Sequence, residues 1–71
     1  MSDLERLGAR IRELREAAGW SQEELAHQAG LHRTYVGGVE RGERNISAKN
    51  IFAISRALQV PSAELFAGLD A

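Results

Sequence analysis

The sequence predicts an all-α domain of five short helices, with no strands. Two observations lead to this: apolar residues recur at spacings of about three and four, and Ser and Gly stand where such helices would begin and end. Seventy-one residues suffice for one domain, 1–71, with a small core. The predicted helices span about residues 3–18, 22–29, 33–41, 48–58 and 62–67.

The first helix carries one continuous apolar stripe. Ser2 or Asp3 can cap its start, and Gly19 is well placed to end it. Its other face alternates Arg and Glu, which is typical of a solvated surface. The stripe consists of Leu4, Leu7, Ile11, Leu14 and Ala18.

The second helix has a complete start signal. Ser21 is the expected N-cap, and Glu24 three residues later would close a capping box. Trp20 before the cap and Leu25 inside the helix are spaced as a hydrophobic staple. We therefore interpret the single Trp as a structural wedge between the first two helices.

The second and third helices form a tight pair around Gly30, which suits a left-handed turn. Small Ala26 marks the expected point of closest approach. Such a pair is a helix-turn-helix, whose second helix can enter the DNA major groove. Gly37 and Gly38 interrupt that helix. Either bare backbone there lies close to DNA or to another helix, or the helix is merely short and held by its neighbours.

The fourth and fifth helices leave aromatic residues outside the expected core. Phe52 falls on a face that should be polar, beside Ala53, and this indicates a contact outside the monomer. Leu65 and Phe66 of the last helix either extend that patch or fold back into the core. The expected buried stripe of the fourth helix is Ala48, Ile51, Ile54, Ser55 and Leu58.

The charge distribution is uneven although the net charge is only −1. Residues 31–50 carry a net charge of +2, whereas residues 19–30 carry −2. Positive charge therefore gathers on and after the third helix, where a surface facing phosphates needs it.

Several classes of function are not indicated by the residues. The chain has no Cys, and its two His residues have no carboxylate placed to orient them, so we predict no catalytic site, no metal and no cofactor. No apolar run is long enough to span a bilayer. We expect a cytoplasmic protein without membrane association.

The motifs together resemble a known family. WSQEELAHQAGLHRTYV, GVERGERN and AISRALQV…ELF are similar to the Cro/phage-repressor type of helix-turn-helix domain, also named for the xenobiotic response element. The resemblance implies the lambda-repressor-like five-helix fold and binding to double-stranded DNA. The segment HRTYVGGVERGERN further resembles the dimeric controller proteins of restriction–modification operons.

The resemblance also implies roles for individual residues. Arg33, Thr34 and Tyr35 would read bases in the major groove, and Arg15 with Glu40 would tie the first helix to the third. His32 would cap or flank the third helix, which is the recognition helix of the motif. With a Gly at position 38, one base contact that many relatives make is in doubt. Contacts to the DNA backbone are implied for Gln22, Arg41, Arg44, Asn45, Ser47 and Lys49.

A domain of this size reads few base pairs, so we expect a homodimer on palindromic half-sites. Its interface candidates are Phe52, Ala53, Leu65 and Phe66. A regulator that activates would also contact RNA polymerase. The competing hypothesis is an antitoxin-like module that binds a protein partner, because one fold serves both purposes.

Overall fold

The computed structural model describes residues 1–69, which form four α-helices and one 3-10 helix. The α-helices are α1 (Asp3–Ala17), α2 (Gln22–Ala29), α3 (Arg33–Glu40) and α4 (Ala48–Leu58), and the 3-10 helix spans Ser62–Phe66. No strand occurs in this part of the chain. None of the helices described is long and apolar enough to cross a membrane.

The prediction of five α-helices was wrong in its last element. The segment after Pro61 is held by a bond from the Glu64 amide to the Pro61 carbonyl, which is an i to i+3 bond. Five residues leave little room for the wider α-helical turn, so the tighter helix forms.

The helix starts use the predicted serines. Ser2 and Glu5 form a reciprocal capping box at α1. The bonds from the Ser2 backbone and hydroxyl lower the pKa of Glu5 from its ordinary value of 4.5. At α2 the Ser21 hydroxyl accepts from the Glu24 amide, but the Glu24 carboxylate instead accepts from Gln28 at 2.9 Å. The predicted capping box at α2 is therefore only half formed.

The core lies between the helices: α3 packs against α1 and α2, α4 packs against α2, and the 3-10 helix packs against α1 and α4. Trp20 packs against the core, as its interpretation as a wedge requires. Ala48 was predicted to be buried but is exposed, since it is the first residue of α4 and lies beside the polar loop. The core residues are Leu7, Ile11, Leu25, Ala26, Val36, Val39, Ile54 and Leu65.

A close contact between two helices involves Gly8, a residue that no sequence pattern singled out. A β-carbon on Gly8 would lie 2.2 Å from the carbonyl oxygen of Val39 and 2.5 Å from that of Glu40. Only a residue without a side chain lets α1 rest directly on the backbone at the end of α3. Gly8, in addition to Ala26, therefore fixes how α3 sits in the domain.

Candidate nucleic-acid interface

The corner between α2 and α3 has the geometry that Gly30 was predicted to allow. Gly30 adopts the left-handed conformation at φ 70°, and the Leu31 amide donates to the Ala26 carbonyl at 2.8 Å. His32 then caps α3, because its Nδ1 accepts from the Thr34 amide at 3.1 Å. The turn, its cap and the buried Val36 behind it fix the direction of α3.

The first turn of α3 presents two exposed side chains, Arg33 and Thr34, to solvent. Tyr35 was predicted to read bases beside them, but its side chain is not fully exposed. Its ring is half-buried against the core, and its hydroxyl accepts a hydrogen bond from Asn50 Nδ2 of α4 at 3.0 Å. Because the hydroxyl acts as acceptor there, its own hydrogen remains available to donate. Asn50 was missed because nothing in its sequence spacing distinguishes it from a solvated residue.

The two glycines of α3 are buried beneath polar side chains from other positions. At Gly37 a β-carbon would lie 3.1 Å from Arg41 Nη1 and 3.3 Å from Gln22 Oε1. At Gly38 it would lie 2.8 Å from Arg44 Cγ. Three of the residues predicted to contact the DNA backbone thus lie side by side along α3.

The predicted partners Arg15 and Glu40 form a buried bidentate ion pair, with distances of 2.7 and 3.0 Å. The hydrogen bonds that Arg15 donates to the Glu40 carboxylate raise the pKa of Arg15 above its ordinary value. Arg15 Nη1 also donates to the Trp20 carbonyl at 2.8 Å, which links the end of α1 to the start of α2. The pair therefore joins three helices at one point.

Gln22 extends this ion pair to the surface. Its Nε2 donates to Glu40 Oε1 at 2.9 Å, so one amide hydrogen is used inside the domain. The amide nitrogen carries a second hydrogen, with which Gln22 can donate another bond. Glu40 thereby fixes the orientation of a residue predicted to contact DNA.

The other residues that were predicted to contact the DNA backbone are exposed on the loop before α4 and on the first turn of α4. They are Asn45, Ser47 and Lys49. The Ser47 hydroxyl accepts from the Asn50 amide at 3.2 Å as the cap of α4. Its oxygen is thus engaged in the helix start, while its hydrogen can still donate.

The exposed charge of this surface is more positive than the sequence count indicates. Glu40 is buried against Arg15, so it does not offset the exposed cations of residues 31–50. Arg33 lies 3.5 Å from Glu23 and Arg41 lies 3.1 Å from Glu43. Both pairs are exposed and contribute little stability, so a phosphate or base edge can replace the carboxylate.

The four predicted interface residues do not share one environment. Phe52 is 49% exposed and Phe66 is 42% exposed, whereas Ala53 is half-buried. Leu65 is fully buried in the monomer core, because the 3-10 helix turns it inward against α1 and α4. Its assignment to an interface was wrong.

Comparison with known proteins decides the family. Residues 11–65 match the model of the helix-turn-helix family. The chain is 46% identical over 59 residues to control protein C.BamHI of Bacillus amyloliquefaciens, which covers 82% of this chain and 73% of that protein. The chain belongs to the helix-turn-helix controller proteins. The predicted resemblance to restriction–modification controllers is thereby confirmed.

Solved structures agree with this family. The crystal structure of the restriction–modification controller protein C.AhdI from Aeromonas hydrophila superposes with a TM-score of 0.91 at 55% identity, over 93% of this chain and 100% of that one. The controller C.Esp1396I, solved as a tetramer in complex with its natural 35 base-pair operator, gives a TM-score of 0.86 at 33% identity, over 99% and 92% of the two chains.

Proposed function

We propose that this controller protein is a sequence-specific transcriptional regulator that binds double-stranded operator DNA and controls a restriction–modification operon. The observation that carries the proposal is the exposed first turn of α3, set beside a loop rich in arginine. C.Esp1396I, a relative with the same fold, is solved on its operator. The cytoplasm, where the DNA lies, is its proposed location.

Arg33 and Thr34 are the proposed base-reading side chains. A guanidinium group can bond to O6 and N7 of guanine, and a Thr methyl can pack against a thymine methyl. Tyr35 joins them through its hydroxyl hydrogen while Asn50 holds the oxygen. Each of these groups stands at the end of α3 that enters the groove in this class of motif.

The DNA backbone is the proposed target of the polar side chains that flank α3. They come from the start of α2, the end of α3, the following loop and the start of α4. In such interfaces the phosphate contacts fix the register of the protein on the duplex, while the base contacts determine which sequence is recognised. The proposed residues are Gln22, Arg41, Arg44, Asn45, Ser47 and Lys49.

A homodimer is the proposed binding unit, and its proposed interface contains Phe52 and Phe66, which are exposed in the monomer, and the half-buried Ala53. A two-fold dimer would place two copies of α3 on palindromic half-sites about one turn of DNA, roughly 34 Å, apart. Contact with RNA polymerase would follow where the operator lies next to a promoter.

The second candidate function is an antitoxin-like module that binds a protein. The exposed Phe52 and Phe66 favour it, because exposed aromatic residues also suit a protein partner. Such a contact would respond weakly to salt, whereas DNA affinity falls with a log–log slope of about −0.9 for each phosphate contacted.

Selection of bound duplexes from a random pool tests the proposal. We expect a palindromic consensus, and steep loss of affinity for it as salt rises. Lys49→Ala should reduce the salt slope by about 1 per half-site. Arg12→Ala, which removes a charge that is paired with Glu16 on α1, is the matched control and should leave the slope unchanged. Recovery of no preferred sequence would overturn the proposal.

A further inference from the structure

The Arg44 side chain packs directly on the backbone of Gly38, which has no side chain of its own. Outside the neighbouring backbone of α3, the three atoms nearest to a β-carbon at position 38 would all belong to Arg44: Cγ at 2.8 Å, Nε at 3.5 Å and Cδ at 3.7 Å. The aliphatic stem of Arg44 therefore lies directly on the recognition helix. An ordinary side chain at position 38 would occupy the same space.

The loop that carries Arg44 is fastened to α3 at the same place. The Glu43 amide donates to the Gly38 carbonyl at 2.9 Å, and the Gly42 amide donates to the Val39 carbonyl at 3.0 Å. These bonds turn the chain back along the helix, so that residue 44 begins beside residue 38. The turn of the loop and the absence of a side chain at position 38 together place the Arg44 side chain against α3.

The position of Gly38 on α3 places the Arg44 side chain on the face that is proposed to contact DNA. Residues four apart lie one above the other on a helix, so Gly38 follows Thr34 on the same face. Arg44 Nε lies 3.5 Å from the place of the missing β-carbon. The guanidinium group thus stands one turn beyond Thr34, at a site that the recognition helix itself leaves empty.

We propose that Gly38 is a positioning residue for DNA binding, whose lack of a side chain holds the Arg44 guanidinium against the recognition helix to meet a DNA phosphate. The inference rests on the proposed function and deepens it. It also gives a reason for a glycine in the interior of α3, where alanine would favour the helix.

If the role of Gly38 were purely structural, its replacement by alanine would destabilise the fold. Gly8 is such a case, because its neighbours are backbone atoms of α3 that cannot move aside. Gly38 instead meets one exposed and flexible side chain, and its φ is not positive. The Arg44 side chain can turn away by rotation about its own Cα–Cβ bond, so Gly38→Ala should cost the fold little and act mainly on DNA binding.

The test is a double-mutant cycle on the duplex selected by the wild-type protein, with Gly38→Ala, Arg44→Ala and the double variant. We expect each single variant to weaken binding by roughly tenfold per half-site, as for the loss of a charged hydrogen bond. Each should also lower the salt slope by about 0.9 per half-site. The double variant should be no weaker than Arg44→Ala alone.

Arg12→Ala is the control, because it removes an exposed arginine of α1 that pairs with Glu16 and lies outside the proposed DNA contacts. It should keep the wild-type salt slope. Additive losses in the cycle, or an unchanged salt slope in Gly38→Ala, would overturn the inference. Failure of the proposed function looks different, since the wild-type protein would then select no duplex at all.

Discussion

The Tyr35 hydroxyl accepts a 3.0 Å hydrogen bond from Asn50 Nδ2, and this bond joins the recognition helix to α4. Both residues are half-buried, so the bond is partly shielded from water. Tyr35→Phe keeps the ring against the core and removes only the hydroxyl. We expect a loss of about 0.5–1.5 kcal/mol in the free energy of unfolding, measured by urea denaturation.

Asn50→Ala provides the other arm of that experiment. If the two side chains act as a pair, the double variant should lose clearly less than the sum of the single losses. Strictly additive losses would mean that the bond contributes nothing to stability in solution.

The buried pair of Arg15 and Glu40 supports a second prediction. Glu40→Gln removes the negative charge but leaves the Arg15 guanidinium buried, with the Trp20 carbonyl still bound. We expect a loss of about 3 kcal/mol in the free energy of unfolding, because removing one partner strands the other charge. That is a large fraction of the stability of a domain this small. Chemical denaturation measures it.

Glu16→Gln is the control for that substitution. Glu16 also pairs with an arginine of α1, Arg12, but both side chains are more than half exposed. Its loss should stay within about 0.5 kcal/mol. Equal effects of the two substitutions would show that burial of the Arg15–Glu40 pair does not matter.

The sequence alone predicted the helix boundaries well, because capping serines and turn glycines act through a few neighbouring residues. Ser21 and Gly30 are recognisable without tertiary structure, and the structure bears both out. The 3-10 helix was harder to predict. Its apolar residues fit either helix type, and the burial of Leu65 depends on contacts with distant parts of the chain.

The candidate site was less accessible to prediction than the fold. The resemblance implied that Tyr35 reads bases, but it gave no sign of the contact with Asn50, which joins residues 15 positions apart. Likewise, the spacing of Gly8 gives no sign that a carbonyl oxygen lies against it. Contacts of this kind depend on how the helices pack, which no local pattern encodes.

Gly8 supports a third prediction, on stability. Gly8→Ala adds a β-carbon 2.2 Å from the Val39 carbonyl oxygen, so α1 and α3 must separate. Although alanine favours a helix by about 1 kcal/mol, we expect a net loss of about 1–3 kcal/mol from overpacking. Thermal unfolding followed by circular dichroism measures it. The same exchange at Gly37 should not destabilise the fold, and a stable Gly8→Ala variant would contradict the close packing.

Phe52 supports a fourth prediction, on assembly. Phe52 is half exposed on α4, so glutamate there costs the monomer little but places a charge in an apolar interface. Phe52→Glu should be monomeric in sedimentation velocity with an unchanged helical circular dichroism spectrum. Gln59→Glu adds the same charge at the exposed end of α4 and should remain dimeric. A dimeric Phe52→Glu variant would remove this residue from the proposed interface.

Arg33 supports the last prediction, on sequence preference. Its guanidinium group is exposed and lies 3.5 Å from Glu23, and a pair this exposed can exchange the carboxylate for a base edge. Arg33→Ala should cost about 1–3 kcal/mol on the selected duplex and relax the preference at one base pair of each half-site. Lys49→Ala, in contrast, should weaken binding to every sequence alike. Binding assays on duplexes with single substitutions separate the two patterns, and a uniform loss for Arg33→Ala would make Arg33 a phosphate contact.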